Sequence, residues 1–126
     1  MKAFWIPLTL LSLLLFAALW TGGFVEQATA QWTAELEKTI TLIPGEAWDE
    51  SEERILNLKQ DWNQRSTFFH IIMEHQDLNE VEQLLSGAIA ACREEDSVEL
   101  HILLRQLIAQ IQFLREMQQA SIKNIL

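Results

Sequence analysis

An uncharged run near the N-terminus limits what this chain can fold into. From Ala3 to Val25 no residue carries a charge. A helix rises about 1.5 Å per residue, so about twenty residues cross the roughly 30 Å apolar core of a bilayer. Trp5 and Trp20 stand near the two ends of the run, where amphipathic rings favour the headgroup level. The run predicts a transmembrane helix whose partner is the lipid bilayer, through residues 3–25.

A secretory signal is the alternative interpretation of the same run. Ala28-Thr29-Ala30 has the small-x-small form of a signal-peptidase site, and the core from Leu8 to Trp20 is short enough for a secretory signal. A cut after Ala30 would release a secreted helical protein that binds or buffers an extracytoplasmic ligand. Retention is favoured because aromatic residues flank the run and the chain keeps helical spacing beyond the cut. Signal peptidase prefers an extended substrate, so a helix through Ala30 would protect the site.

The charges that flank the run predict its orientation. Lys2 and the α-amino group precede it, and Glu26 follows it. The tendency of basic residues to stay in the cytosol places the N-terminus there and the rest of the chain outside. We therefore expect a single-pass protein of the cell membrane with an extracytoplasmic C-terminal domain. Gly22-Gly23 is expected to be a flexible joint between anchor and domain.

Acidic character excludes one class of partner. All eighteen Asp and Glu residues lie from Glu26 onward, whereas the first twenty-five residues hold one basic residue, Lys2. A field of this sign repels nucleic acid, whose binding depends on Lys and Arg neutralising phosphates, so we expect no nucleic-acid partner. Cys92 is the only cysteine, which excludes an intrachain disulfide and a cysteine-based zinc cluster.

Beyond the run the sequence reads as helices. Pro44-Gly45 is a stop signal, and no later stretch alternates with the period of two that a half-buried strand requires. A long helix is predicted from about Asp49 to Glu74, because large apolar side chains recur there with the seven-residue spacing of a bundle seam. These are Trp48, Ile55, Trp62 and Phe69, joined by Leu58 and Ile72.

Two matching D-x-x-E motifs predict the starts of two more helices. They are Asp77 with Glu80 and Asp96 with Glu99, in which the aspartate accepts from free N–H groups and the glutamate reaches back. The apolar stripe after Asp96 is wide enough to predict burial on more than one side.

Short connections between these helices make neighbours antiparallel. The predicted fold is all-α: an N-terminal transmembrane helix followed by an up-down bundle of three to four antiparallel helices. We divide the chain into a transmembrane anchor or uncleaved signal (1–25), a juxtamembrane helix with its Pro-Gly break (26–45) and an extracytoplasmic helical bundle (46–126).

The chain also resembles a known family over nearly its whole length. The stretch from the anchor through "AWDESEERILNLKQDWNQRSTFFHIIMEHQDLNEVE" and the closing "ASIKNIL" are similar to the small single-pass bacterial membrane proteins catalogued as domain of unknown function 4363. The most specific marks are Trp48 and Trp62, "H-x-D-L" from His75 to Leu78, and Lys123-Asn124-Ile125. The resemblance implies one anchor and a helical domain, and it assigns no activity.

No combination of residues predicts an enzyme. His70 and Glu74 are four apart on one predicted helix, but there is no H-E-x-x-H, and on a continuous helix His75 would point about 140° away from His70. His101 and the carboxylates belong to no catalytic motif. Cys92 lies on the apolar stripe of its helix, which predicts a buried and inert thiol.

The acidic runs and the glycines add no site. The runs Glu52-Glu53 and Glu94-Glu95-Asp96 lack the spacing of a calcium loop, and the four glycines cannot form a phosphate loop. We expect no catalytic, cofactor-binding or metal-binding residue.

The remaining hypothesis is an interaction or scaffolding module whose partner is another integral membrane protein. Its expected contact residues are "STFF", Ser66 to Phe69, and the tail residues Ile122, Ile125 and Leu126. Homo-oligomerisation through the slim face of Gly87, Ala88 and Ala91 is a variant of this hypothesis, although the same residues would serve equally well inside one bundle.

Overall fold

Four helices make up the part of the chain that the structure describes. A computed structural model describes the backbone of residues 2–125 and the side chains of residues 3–124. The helices are α1 (Lys2–Leu42), α2 (Trp48–Ile72), α3 (His75–Arg93) and α4 (Ser97–Ile125). Between residues 2 and 125 there is no strand, and the predicted all-α class is confirmed.

The helices form a closed ring in the order of the chain. α1 packs against α2, α2 against α3, α3 against α4, and α4 returns to α1. α4 runs antiparallel to α1, because Arg115 near its end bonds Glu26 and Arg105 near its start bonds Glu37. The predicted up-down bundle is confirmed, and its fourth helix is the second half of α1.

The two halves of α1 have different surroundings. Side chains from Ala3 to Trp20 are exposed except for Ala18, which is half-buried, whereas a buried stripe runs from Val25 to Ile43. Among the described residues, α1 is the one helix that is long and apolar enough to cross a membrane, and none of its most apolar stretch is buried. The same helix therefore has an unburied apolar half and a half that belongs to the bundle core.

The flexible joint expected at Gly22-Gly23 is absent, because α1 continues through both glycines. A Cβ atom on Gly22 would lie 2.5 Å from Cδ1 of Ile122, so the end of α4 packs directly on the backbone of α1. Glycine therefore permits a close approach of two helices here. The sequence could not distinguish this use of glycine from a joint, since the partner residue lies a hundred positions away.

Aromatic rings from α1 and α2 form the centre of the core. Trp32 lies 5.3 Å from Trp62 and 5.6 Å from Phe69, between ring centroids, and Trp62 stacks on Phe69 at 5.7 Å. The Trp32 indole N–H donates to Asp61 at 2.7 Å. The predicted seven-residue seam of α2 is buried at Ile55, Trp62 and Phe69 and half-buried at Trp48.

The apolar face of α4 is less buried than its sequence predicts. Its inner stripe is fully buried, at Leu100, Leu104, Leu107 and Ile111. An outer stripe stays exposed, and it consists of Val98, Ile102, Phe113 and Met117. Among the described residues, α4 packs closely against α1 and α3, so its far side has no neighbouring helix within the bundle. The expectation that α4 is buried on more than one side is confirmed by these two contacts, but Ile102 and Phe113 of its apolar face remain exposed.

One of the two predicted helix caps is confirmed. The backbone N–H of Glu99 donates to Asp96 Oδ1 at 3.0 Å, and α4 begins at Ser97. The cap predicted at Asp77 is wrong, because α3 begins at His75 and Asp77 lies in its first turn. α2 already ends at Ile72, which leaves room for α3 to start two residues early. In the first turn the carboxylate still interacts favourably with the helix dipole.

Two turns at one end of the bundle share an unusual backbone. We call this end the distal end. It comprises the α1–α2 turn (43–47), the α3–α4 turn (94–96) and the helix residues next to them, which are 40–42, 48–53 and 97–102. Glu46 (φ 54°) and Glu95 (φ 55°) adopt the left-handed conformation. In each turn the next residue's N–H reaches back to the helix, Ala47 to the Leu42 carbonyl and Asp96 to that of Ala91. Both turns are Schellman motifs, in which the left-handed residue is usually glycine.

We predict that Glu95→Gly raises the free energy of unfolding by about 1 kcal/mol, because a left-handed conformation costs a residue with a Cβ roughly that much. Glu94→Gly is the control: it removes the same charge from the same turn, but Glu94 has φ −85° and gains nothing from glycine. Glu94→Gly should lower stability. Denaturation of the full-length protein in detergent micelles, followed by tryptophan fluorescence, measures both. A loss of stability in both variants would contradict the strain at Glu95.

Candidate functional site

The structure brings two histidines together that the sequence separates. The Nδ1 atoms of His70 and His75 are 2.9 Å apart, and their ring centroids are 4.6 Å apart. The expectation of divergent directions is wrong because it assumed one continuous helix. Met73, between α2 and α3, has an extended backbone that turns the chain. One neutral ring can donate to the other here, so the pair closes the turn between the two helices.

The described side chains provide no metal cluster. No group of three or more His, Cys, Asp and Glu residues with the spacing of a metal site occurs among residues 3–124. His101 lies on α4 at the distal end, and its Nε2 accepts from Arg105 at 3.5 Å. The histidine pair at the other end of the bundle therefore has no third ligand in the described part of the chain.

Cys92 is buried in the core, as its position on the apolar stripe predicts. It is 2% exposed and has no disulfide partner. Burial, together with a smaller contribution from the charge of Glu52, raises the pKa of its thiol to about 11. A high pKa and a lack of access both oppose thiolate chemistry.

An apolar groove opens at the distal end, between the end of α1 and the start of α4. It encloses about 350 Å³. Its walls are Ile40, Ile43, Pro44, Ser97, Val98, His101 and Ile102. Val98 is 69% exposed and Ile102 47%, so the outer stripe of α4 begins in this groove. Neither residue belongs to the contact set that the sequence predicts.

Carboxylates are concentrated in the stretches of chain that adjoin the residues lining the groove. Half of the eighteen Asp and Glu residues fall in two short stretches, 46–53 and 94–99. The nearby arginines are already paired, Arg54 with Glu35 at 2.6 Å and Arg93 with Glu52 at 2.6 Å. Within the described side chains, Glu46, Asp49, Glu53, Glu94, Glu95, Asp96 and Glu99 make no ion pair. The distal end therefore combines exposed apolar side chains with a concentrated negative charge, and it includes both left-handed glutamates.

The opposite end of the bundle carries an aromatic cluster beside the apolar half of α1. We call it the proximal end; it comprises α1 from Ala17 to Phe24, the α2–α3 junction (68–75) and the end of α4 (117–124). Phe24 lies 4.9 Å from Phe68, and Trp20 lies 6.3 Å from Phe68. Another groove, of about 280 Å³, lies between α1 and the ends of α2 and α4.

Three of the contact residues expected from the sequence, Phe68, Phe69 and Ile122, belong to the proximal end, and none of the three is fully exposed. Phe69 is buried and Phe68 is half-buried in the aromatic cluster. Ser66 is half-buried, and Thr67 alone of this group is exposed. Ile122 packs on Gly22. The side chains of Ile125 and Leu126 lie outside the described residues.

The slim face of α3 is used within the bundle. Ala88 and Ala91 are buried, and Gly87 lies against Leu103 of α4, whose Cδ1 is 3.3 Å from where a Cβ on Gly87 would be. Small residues allow α3 and α4 to approach closely. This surface is therefore not free for a second copy of the chain.

Comparison with known proteins gives one family. The family described as Domain of unknown function (DUF4363) matches residues 19–125. The match begins near the point where α1 approaches the bundle and covers all four bundle helices. No curated protein and no solved structure matches the chain.

We predict that Cys92 is inert in the folded protein. With a pKa of about 11, roughly one thiol in a thousand is ionised at pH 8. Alkylation by iodoacetamide at pH 8 should therefore be about a hundredfold slower than at an ordinary exposed cysteine, and should accelerate as the pH rises toward 11.

The control is Ala90→Cys in a Cys92→Ala background, because position 90 is exposed two residues away on the same helix. In denaturant the two proteins should react at equal rates. Fast alkylation of native Cys92 at pH 8 would show an accessible, activated thiol and would reopen the question of catalysis.

Proposed function

We propose, from the premise that the chain belongs to the family of domain of unknown function 4363, that it is a membrane-anchored interaction module. α1 spans the cell membrane once with its N-terminus in the cytoplasm. The bundle stands on the extracytoplasmic face and presents its distal end to another integral membrane protein. The module acts by binding and has no catalytic activity.

The continuity of α1 is the observation that carries this proposal. Its exposed apolar half, from Ala3 to Trp20, passes into the bundle core without a break. An apolar helix that packs against nothing in the protein needs another apolar environment, and about twenty residues suit a bilayer. The twenty-one residues from Gly22 to Leu42 would raise the distal end about 30 Å above the point where α1 leaves the hydrocarbon.

Secretion after cleavage is the competing function, and burial argues against it. Val25, Ala28 and Thr29 are each at most 1% exposed in the core, and Thr29 donates to the Val25 carbonyl at 2.8 Å. A cut after Ala30 would remove all three from the bundle. It would also require a helical segment packed in the core to become extended in the peptidase.

We predict that the protein from its native host is full-length and confined to the membrane fraction, because the cleavage motif is helical and two of its three residues, Ala28 and Thr29, are buried. Mass spectrometry of the membrane and soluble fractions measures this. A soluble species that begins at Gln31 would refute the anchor and establish the secreted alternative. A cytoplasmic marker enzyme and an integral membrane protein serve as fractionation controls.

The distal groove suggests the chemistry of the partner. Apolar walls at Val98 and Ile102 lie next to a cluster of carboxylates without cationic partners. A segment with apolar and basic side chains on one face would fill the groove and neutralise the cluster. Such a segment in the extracytoplasmic part of another membrane protein is the partner that fits.

We predict that a photo-crosslinking amino acid at Ile102 gives one discrete product in native membranes. The same amino acid at Gln83, which is exposed on the side of α3, should not give it. Since charge contributes to the contact, the product should be lost in a Glu94→Gln, Glu95→Gln, Glu99→Gln variant, which keeps the Asp96 cap intact. The same product from both positions, or one indifferent to the three carboxylates, would contradict a specific groove.

A further inference from the structure

We propose that the proximal end of the bundle docks on the bilayer surface, with Ile71 inserted at the boundary between headgroups and acyl chains. The proposal rests on the membrane anchor of the preceding section. It assigns a second interaction surface to the bundle, whose occupant is the lipid of the membrane that α1 crosses.

The depth of the proximal end relative to α1 is the first argument. The groove beside α1 is lined by Ala17, Ala18 and Thr21 on one side and by Ile72 and Ile122, among others, on the opposite side. The ends of α2 and α4 therefore lie level with the last turns of the uncharged run. If about twenty residues from Ala3 onward fill the hydrocarbon, the level of residues 17–22 is the membrane boundary. The bundle then has no gap between its end and the lipid.

The exposed side chains at this level form the second argument. Ile71 is 77% exposed, more than Phe4 at 74% in the apolar half of α1. Met117, near the end of α4, is 51% exposed. Trp20 completes the surface, and it belongs to the residue type that favours the membrane boundary. An isoleucine that the bundle leaves in solvent is covered when this end rests on lipid.

Charge gives the third argument, because the two ends of the bundle differ. The stretches 46–53 and 94–99 at the distal end hold half of the carboxylates. At and beside the proximal end stand Glu74 before α3, Asp77 in the first turn of α3 and Glu116 on α4, with the two histidines near Glu74, and with Lys123 on the last turn of α4. Glu26 is neutralised by Arg115 at 2.9 Å. The end nearest to the anionic headgroups is therefore the less acidic of the two.

The test uses the full-length chain in phosphatidylcholine vesicles, with Cys92→Ala as background. An environment-sensitive fluorophore is attached to Ile71→Cys, and its emission is compared in vesicles with and without a 5-doxyl lipid, whose quencher sits just below the headgroups. Two matched positions accompany it: Val98→Cys, 69% exposed at the distal end and tested with the same lipid, and Leu11→Cys in the apolar half of α1, tested with a 12-doxyl lipid because residue 11 falls near the bilayer centre. We expect the doxyl lipid to reduce emission about twofold at position 71, since an interfacial apolar group lies about 5–10 Å below the surface.

The three positions separate the docking from the anchor. Quenching at 71 and 11 with none at 98 supports the docked proximal end. Quenching at 11 alone overturns the docking while the anchor stands. Absence of quenching at 11 refutes the anchor itself, and quenching at 71 and 98 alike refutes a defined orientation. Ile71→Asp, which removes no buried contact, should lower the quenching of a label at Thr67, and an unchanged signal there would also overturn the proposal.

Discussion

The architecture depends on one helix that needs two different environments. From Ala3 to Trp20, α1 offers uncharged and mostly apolar side chains to its surroundings, whereas its second half places Val25, Trp32 and Leu36 in the core of the bundle. Because the helix does not break, these requirements are mechanically joined. A helix that continues through a boundary transmits position and orientation, as a flexible linker would not. If α1 spans the membrane as we propose, this one helix sets the height of the bundle above the membrane, its tilt and the faces that it exposes.

Sequence reasoning succeeded where the determining signal is local. The spacing of Ile55, Trp62 and Phe69 predicted a buried seam, and the Asp96 cap predicted the start of α4. It failed where distant residues decide the outcome. In the sequence Gly22 resembles a flexible joint, but in the structure Ile122 packs against it. The angle predicted between His70 and His75 assumed that the helix continues through both residues, but α2 ends at Ile72, and the turn that follows brings the two imidazoles together.

The candidate surfaces were harder to predict than the fold. Among the contact residues expected from the sequence, Phe69 instead fills the core and Phe68 is half-buried in the aromatic cluster of the proximal end. The distal groove joins Ile43 to Ile102, which are far apart in the chain, and no local pattern relates them. The sequence does not show whether Val98 is exposed or buried, because apolar residues flank the inner stripe of α4 on either side. Only the closure of the ring leaves its outer side without a neighbour.

The two ends of the bundle differ in chemistry, and we therefore propose different partners for them. Both expose apolar side chains, but the distal end surrounds them with carboxylates and holds Glu46 and Glu95 in a conformation that favours glycine. The α1–α2 turn does contain a glycine, Gly45, but Glu46 and not Gly45 adopts the left-handed conformation. Because glycine would relieve this strain, the presence of glutamate at both positions is better explained by a role in binding than by a role in folding. Anionic lipid headgroups would repel such a surface, so we propose a protein partner for it. For the proximal end, which is poorer in charge and level with the apolar run, we propose the bilayer.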